Sequence, residues 1–90
     1  MLSRITWTLA AWEDYSYWQG QDRKTLKRIN RLVQECLREP FAGIGKPEPL
    51  RGDQKGYWSR RINHQHRIVY TVTGKGDEQT VVITQCRFHY

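Results

Sequence analysis

The sequence predicts an α+β domain, with two helices packed on one face of a mainly antiparallel, twisted sheet. Three observations carry this. Two stretches in the first half repeat apolar residues at helical spacing, three stretches in the second half alternate as strands do, and a Pro- and Gly-rich loop separates the halves. Ninety residues suffice for one domain with a single modest core, spanning 1–90 without repeats. Four Trp, five Tyr and two Phe are an aromatic load that a disordered chain would not carry.

The elements read β-α-α-β-β-β. Residues 2–7 have strand character through Leu2, Ile5 and Trp7. Thr8 suits the N-cap of a first helix and Gly20 its stop, and Leu9, Trp12 and Tyr15 recur at three-residue spacing as its apolar face. Asp22 suits the cap of a second helix, which runs to about Glu39 and is halted by Pro40. Its core face is Leu26, Ile29, Val33, Cys36 and Leu37, and Lys24, Lys27, Arg28, Arg31 and Arg38 form its solvated face. From Phe41 to Lys55 the chain holds Pro47, Pro49 and three of the seven Gly, and reads as a loop. Strands are then expected at Tyr57–Ile62, His66–Thr73 and Thr80–Phe88, the last two joined as a hairpin through T-G-K-G-D-E-Q.

The formal charge is +6, and it is uneven. Residues 46–70 carry six basic and two acidic side chains (net +4), against seven and five in residues 1–45 (net +2) and two and two in residues 71–90 (net 0). A basic excess concentrated in the middle segment favours a dedicated surface for a polyanion, either nucleic acid or an acidic protein. No stretch is apolar enough to span a bilayer, so no membrane partner is expected. M-L-S-R-I-T-W-T lacks the apolar run of a signal peptide, and two cysteines make no disulfide framework, so the expected setting is the reducing cytoplasm. Cys36 and Cys86 read as small buried hydrophobes. His64 and His66 lack a third ligand, so neither metal nor cofactor is expected.

Strand alternation sorts the polar residues by face. The last strand divides into Val82, Thr84, Cys86 and Phe88, expected to face the helices, and Val81, Ile83, Gln85, Arg87 and His89, expected to face away. On the middle strand Ile68, Tyr70 and Val72 are the core row, which leaves Arg67, Val69 and Thr71 opposite. On the first, Trp58 and Ile62 suit the core and Tyr57, Ser59 and Arg61 the other face. Arg61, Arg67, Arg87 and His89 would then share the helix-free face as an anion platform, since the guanidinium fork binds two phosphate oxygens at once. Glu48, between Pro47 and Pro49, is held extended on a stiff stretch with Lys46 and Arg51 on either side. Histidine can carry or release a proton near neutral pH, and His89 lies at the end of the row that holds Arg87.

W-E-D-Y-S-Y-W-Q, F-A-G-I-G-K-P-E-P-L-R, G-Y-W-S-R-R-I-N-H-Q-H-R-I-V-Y and the terminal C-R-F-H-Y together resemble the YoeB/Txe family of bacterial toxins, within the RelE-like superfamily. The resemblance runs nearly end to end. It implies the RelE-like fold and a ribosome-dependent endoribonuclease that cuts mRNA in the decoding site, silenced by a cognate YefM/Axe-like antitoxin, and it allows a homodimer. The family's catalytic glutamate, arginine, histidine and tyrosine fall on Glu48, Arg67, His89 and Tyr90. Arg61, Lys46 and Arg51 match residues that look like RNA-backbone contacts, and Arg87 belongs to the same expected basic face. The implied chemistry needs no metal: a base on the 2′-OH, an acid on the leaving 5′-oxygen, and arginines on the phosphoryl oxygens. A competing reading has the same basic face hold RNA or ribosome and block translation without cutting. Relatives in the superfamily that poison DNA gyrase lack the Glu/Arg/His/Tyr set.

Overall fold

The computed structural model describes residues 2–89; Tyr90 lies outside the described residues. The order is β1 (Arg4–Trp7), α1 (Leu9–Gln21), α2 (Arg23–Arg38), β2 (Glu48–Pro49), β3 (Trp58–Arg61), β4 (Arg67–Thr73) and β5 (Thr80–Gln85). The strands form one sheet in the order β1-β5-β4-β3-β2, in which only the β1–β5 pair is parallel.

The caps form where the sequence places them. The Thr8 hydroxyl accepts the Ala11 N–H, and the Asp22 carboxylate accepts the Thr25 N–H. α1 runs through Gly20 and ends instead at Asp22, whose extended backbone (φ −153°) closes one helix and caps the next. The residue that opens α2 therefore outcompetes glycine as the stop for α1.

Both helices lie on one face of the sheet. The core joins Ala11 and Trp18 of α1 and Ile29, Leu32, Val33 and Cys36 of α2 to Ile62, Ile68, Tyr70, Val81, Ile83 and Cys86. The face of α1 differs from the one expected. Leu9 is 74% exposed and Trp12 48%, and the buried line passes through Ala11, Tyr15 and Trp18, at i, i+4 and i+7. Trp12 instead joins an edge cluster with Trp7 and Tyr15.

Two further expectations are corrected. Residues 48–49 leave the predicted loop and pair antiparallel with β3, as Glu48 with Ser59 and Pro49 with Trp58. Pro49 has no N–H to donate, so an outer strand is where it fits. On β5 the buried row is Val81 and Ile83, not Val82 and Thr84. The register explains why both these and Cys86 reach the core. Tyr70 pairs with Ile83 but Val69 with Gln85, so Thr84 is an extra residue in a β-bulge, and the alternation reverses across it.

Arg60 sits in the core row of β3 and is fully buried. Its guanidinium donates to the carbonyls of Glu39, Ala42 and Ile44 and to the Tyr70 hydroxyl, which in turn donates to the Pro40 carbonyl. One side chain thus gathers residues 39–44 against the sheet. Gly45 continues this path under tight steric control. It has φ +83°, a Cβ there would meet Leu32 Cδ2 at 2.8 Å, and its carbonyl accepts the Arg61 N–H at 2.6 Å. The loop therefore delivers Lys46, Pro47 and Glu48 to the sheet edge in a defined position.

Candidate active site on the helix-free face

One row of side chains crosses the sheet: Glu48 opposite Ser59, Ser59 opposite Val69, Val69 opposite Gln85. Ser59 and Val69 are buried and form its floor, while Glu48 is exposed at one end. Two residues along the strands, Arg61 lies directly opposite Arg67. Alternation puts these arginines on the same face as the row. With strands ~4.8 Å apart, Glu48 lies on the order of 10 Å from the line of β4, within reach of a substrate laid over Ser59.

Like charges placed directly opposite across two strands repel, and a fold tolerates this where an anion neutralises them. Arg61 and Arg67 line a cavity of about 330 Å³ with Arg28, Ile62, Asn63 and His64, and none of these described lining residues is acidic. Arg28 comes from the supposedly solvated face of α2. Its guanidinium donates to the Arg61 carbonyl at 3.2 Å, which brings a third cation over the edge of the sheet. Arg67 is steadied by donating to the carbonyls of Asn63 (2.9 Å) and His66 (3.1 Å). Among the described residues no group of three His, Cys, Asp or Glu side chains is placed to hold a metal ion.

The terminal segment does not continue as a strand. After Gln85 the chain bends, and Phe88 takes φ +67°, so alternation no longer decides where His89 points. Its path is set by polar contacts. The Gln85 amide donates to the carbonyls of Arg87 (2.7 Å) and His89 (3.0 Å), the Arg67 N–H donates to the Phe88 carbonyl (3.0 Å), and the Phe88 N–H donates to His66 Nδ1 (2.7 Å). His89 thereby follows a residue tied to the backbone of Arg67.

Arg87 departs from the expected platform. Its guanidinium lies 3.5 Å from the ring centroid of Tyr17 on α1 and 4.4 Å from that of Phe88. It does not line the Arg61–Arg67 cavity. The bulge and the bend carry it round to α1. Lys46 and Arg51 are exposed on either side of Glu48. Lys46 (φ +51°) and Phe88 are the two non-glycine residues of positive φ among those described, and each stands within two residues of a candidate acid or base. Such conformations cost roughly 1–3 kcal/mol each and collect at functional sites. Sequence reasoning missed Arg28 and His66. Arg28 carries no signal apart from tertiary contact, but His66, immediately before a strand in H-R-I-V-Y, could have been weighed as a strand-end anchor.

The fold defines a class first: small α+β domains of the RelE-like fold. The toxin–antitoxin complex DinJ–YafQ of Escherichia coli matches with a TM-score of 0.78 at 16% identity, covering 99% of this chain and 94% of that one, which speaks for the fold alone. The family model described as YoeB-like toxin of bacterial type II toxin-antitoxin system matches residues 7–90, and the chain belongs to that family. It is 56% identical to Toxin YoeB of Streptomyces coelicolor over 87 residues, which cover 97% of this chain and 99% of that protein. Toxin YoeB of Escherichia coli K12 is 45% identical over 87 residues, with the same coverage. Among solved structures, a YoeB/ParE toxin from Agrobacterium tumefaciens matches with a TM-score of 0.94 at 52% identity, covering 98% of this chain and all of that one. The YoeB–YefM heterotetramer of Staphylococcus aureus matches at 0.84 and 46%, covering 100% and 99%.

Proposed function

We propose that this type II toxin is a ribosome-dependent endoribonuclease that cuts mRNA in the decoding site by attack of the 2′-OH on the adjacent phosphorus. The observation that supports this most is the gathering of Glu48, Arg61 and Arg67 on one sheet face, with the His89 segment tied to the Arg67 backbone. Glu48 takes the proton of the 2′-OH, and protonated His89 gives one to the departing 5′-oxygen. The bond from phosphorus to that oxygen breaks as the new one forms, which leaves a 2′,3′-cyclic phosphate, or a 3′-phosphate after opening, and a 5′-hydroxyl. Arg67 and Arg61 stabilise the charge that grows on the phosphoryl oxygens. Lys46 and Arg51 hold the RNA backbone next to Glu48, and Tyr90 stacks on a base or donates to the phosphate. Arg87 orders the terminal segment from its seat on Tyr17. Glu48 stands on the outer strand β2, and His89 follows the segment tied to β4, so the ribosome would complete the geometry by bending the mRNA between them.

The basic trough also suits a YefM-like antitoxin, whose binding would exclude RNA. The YoeB of Staphylococcus aureus has been solved both with YefM and as a dimer, which supports the same two partnerships here. The test is to map mRNA 5′ ends by primer extension in a translation reaction with wild type and His89→Gln. New ends within codons that appear with wild type and fade with the variant are expected. Translation blocked over intact mRNA would replace cleavage with inhibition by binding.

A further inference from the structure

We propose that His66 is a positioning residue for the cleavage reaction, clamping the segment that carries His89 only while its own ring is neutral. The inference rests on the reading of His89 as the general acid. A backbone N–H can only donate, so the 2.7 Å contact from Phe88 requires an unprotonated Nδ1 on His66 and puts the ring proton on Nε2. Protonating the ring would set two N–H groups against each other and break the contact. That contact and the Arg67 N–H on the Phe88 carbonyl hold the left-handed turn at Phe88 from both sides. Without the first, Phe88 relaxes toward extended backbone, and His89, one residue on, loses the position that this turn gives it.

The surroundings of His66 come from three elements. From α1, the Trp18 ring meets it edge-on at 4.9 Å between centroids, and the Asp14 carboxylate lies near. From the terminal segment come the charges of Arg87 and His89. From β4, the Arg67 guanidinium donates to the His66 carbonyl. Partial burial first, then the Arg87 and His89 charges, hold His66 below the ordinary histidine value, against the opposing pull of Asp14. The sign follows. The clamp is complete above the free-histidine range and is lost as pH falls through the lowered value. Asp14 is a second acid-sensitive anchor, because its carboxylate accepts the Cys86 N–H at 3.1 Å and burial raises its pKa. A variant at His66 itself is therefore needed to separate the two.

Two measurements test the clamp on the full chain. The first is ¹⁵N NMR between pH 5 and 8. We expect the Nε2–H tautomer of His66 at neutral pH, and a Phe88 amide signal that moves with the midpoint of the His66 ring, below ~6.5. An Nδ1–H tautomer, or a Phe88 amide indifferent to His66 titration, overturns the proposal. The second is mRNA cleavage on ribosomes between pH 6 and 8. His66→Leu should lose at least ~10-fold at pH 7.5, whereas His66→Asn, whose Oδ1 takes the place of Nδ1, should recover most of that loss and lack the acid-side decline. Equal losses in both variants, or an unchanged acid limb in His66→Asn, refute it. If His66→Leu does not fold, the pH profile of His66→Asn against wild type decides alone. If wild type cuts no RNA, the endoribonuclease reading fails while the NMR result still judges the clamp.

Discussion

Replacing Arg60 by methionine should remove a large part of the stability of this protein while touching no residue of the trough. The side chain has no exposed surface and donates to four oxygens: Tyr70 Oη at 3.1 Å, the carbonyls of Ile44 at 3.0 Å and Ala42 at 2.9 Å, and that of Glu39. Bonds from a charged donor contribute ~1.5–3 kcal/mol each, so the gross loss is about 6–12 kcal/mol. Methionine fills much of the stem volume and escapes the several kcal/mol that burying a cation costs. The orphaned carbonyls belong to a surface loop that water can partly reach, and with the relieved burial cost subtracted the net loss falls below the gross range, at about 3–4 kcal/mol. At ~2.1 cal/mol/K per residue, a chain of this length changes Tm by ~5 °C per kcal/mol, so the fall should be ~15–20 °C. Thermal unfolding followed by circular dichroism measures it. Lysine should not rescue, because its single ammonium cannot span four acceptors laid out for a planar fork. A fall of less than ~5 °C, or wild-type behaviour in Arg60→Lys, would refute the assignment of residues 39–44 to this one side chain.

Two other outcomes follow from the site and the thiols. Arg28→Ala should weaken RNA binding about equally across sequences and reduce the salt dependence by roughly one phosphate contact, while Arg67→Ala should cost ~10²-fold or more in cleavage; filter binding across a salt series and single-turnover cleavage distinguish them, and equal effects on turnover would contradict the roles assigned. Burial raises Cys36 to about 11, and burial together with Asp14 raises Cys86 to about 12, so iodoacetamide at pH 8 should leave both thiols of the native protein unlabelled and label both in denaturant.

Much of the placement of the candidate site was legible in the residues themselves because its signals are local. Thr8 and Asp22 cap the helices through their own side chains, Pro40 stops α2, and Pro49 holds Glu48 extended. Parity on β3 and β4 placed Arg61 and Arg67 on one face, since neither strand is interrupted between them and the core rows of Trp58, Ile62, Ile68 and Tyr70. The same rule failed on β5 because a single extra residue at Thr84 reverses it, and nothing in T-V-V-I-T-Q-C marks the bulge. Helical spacing misled on α1 as well, because Leu9 and Trp12 fall on a face that stays open while the buried line passes through Ala11 and Trp18. Arg60, between Trp58 and Ile62, was given no place by the alternation. Only the fold brings the three loop carbonyls that make its burial favourable.

The sequence by itself determined the two helices, the antiparallel strands, the basic middle segment and the family, because caps, periodicity and motifs act over a few residues. Tertiary structure alone decided that Arg28 joins Arg61 and Arg67, that Arg87 turns away to Tyr17, and that His66 and Gln85 hold the chain leading to His89. Those contacts link α1, α2 and the terminal segment to a sheet that must first pair, so they exist only once residues distant along the chain have met.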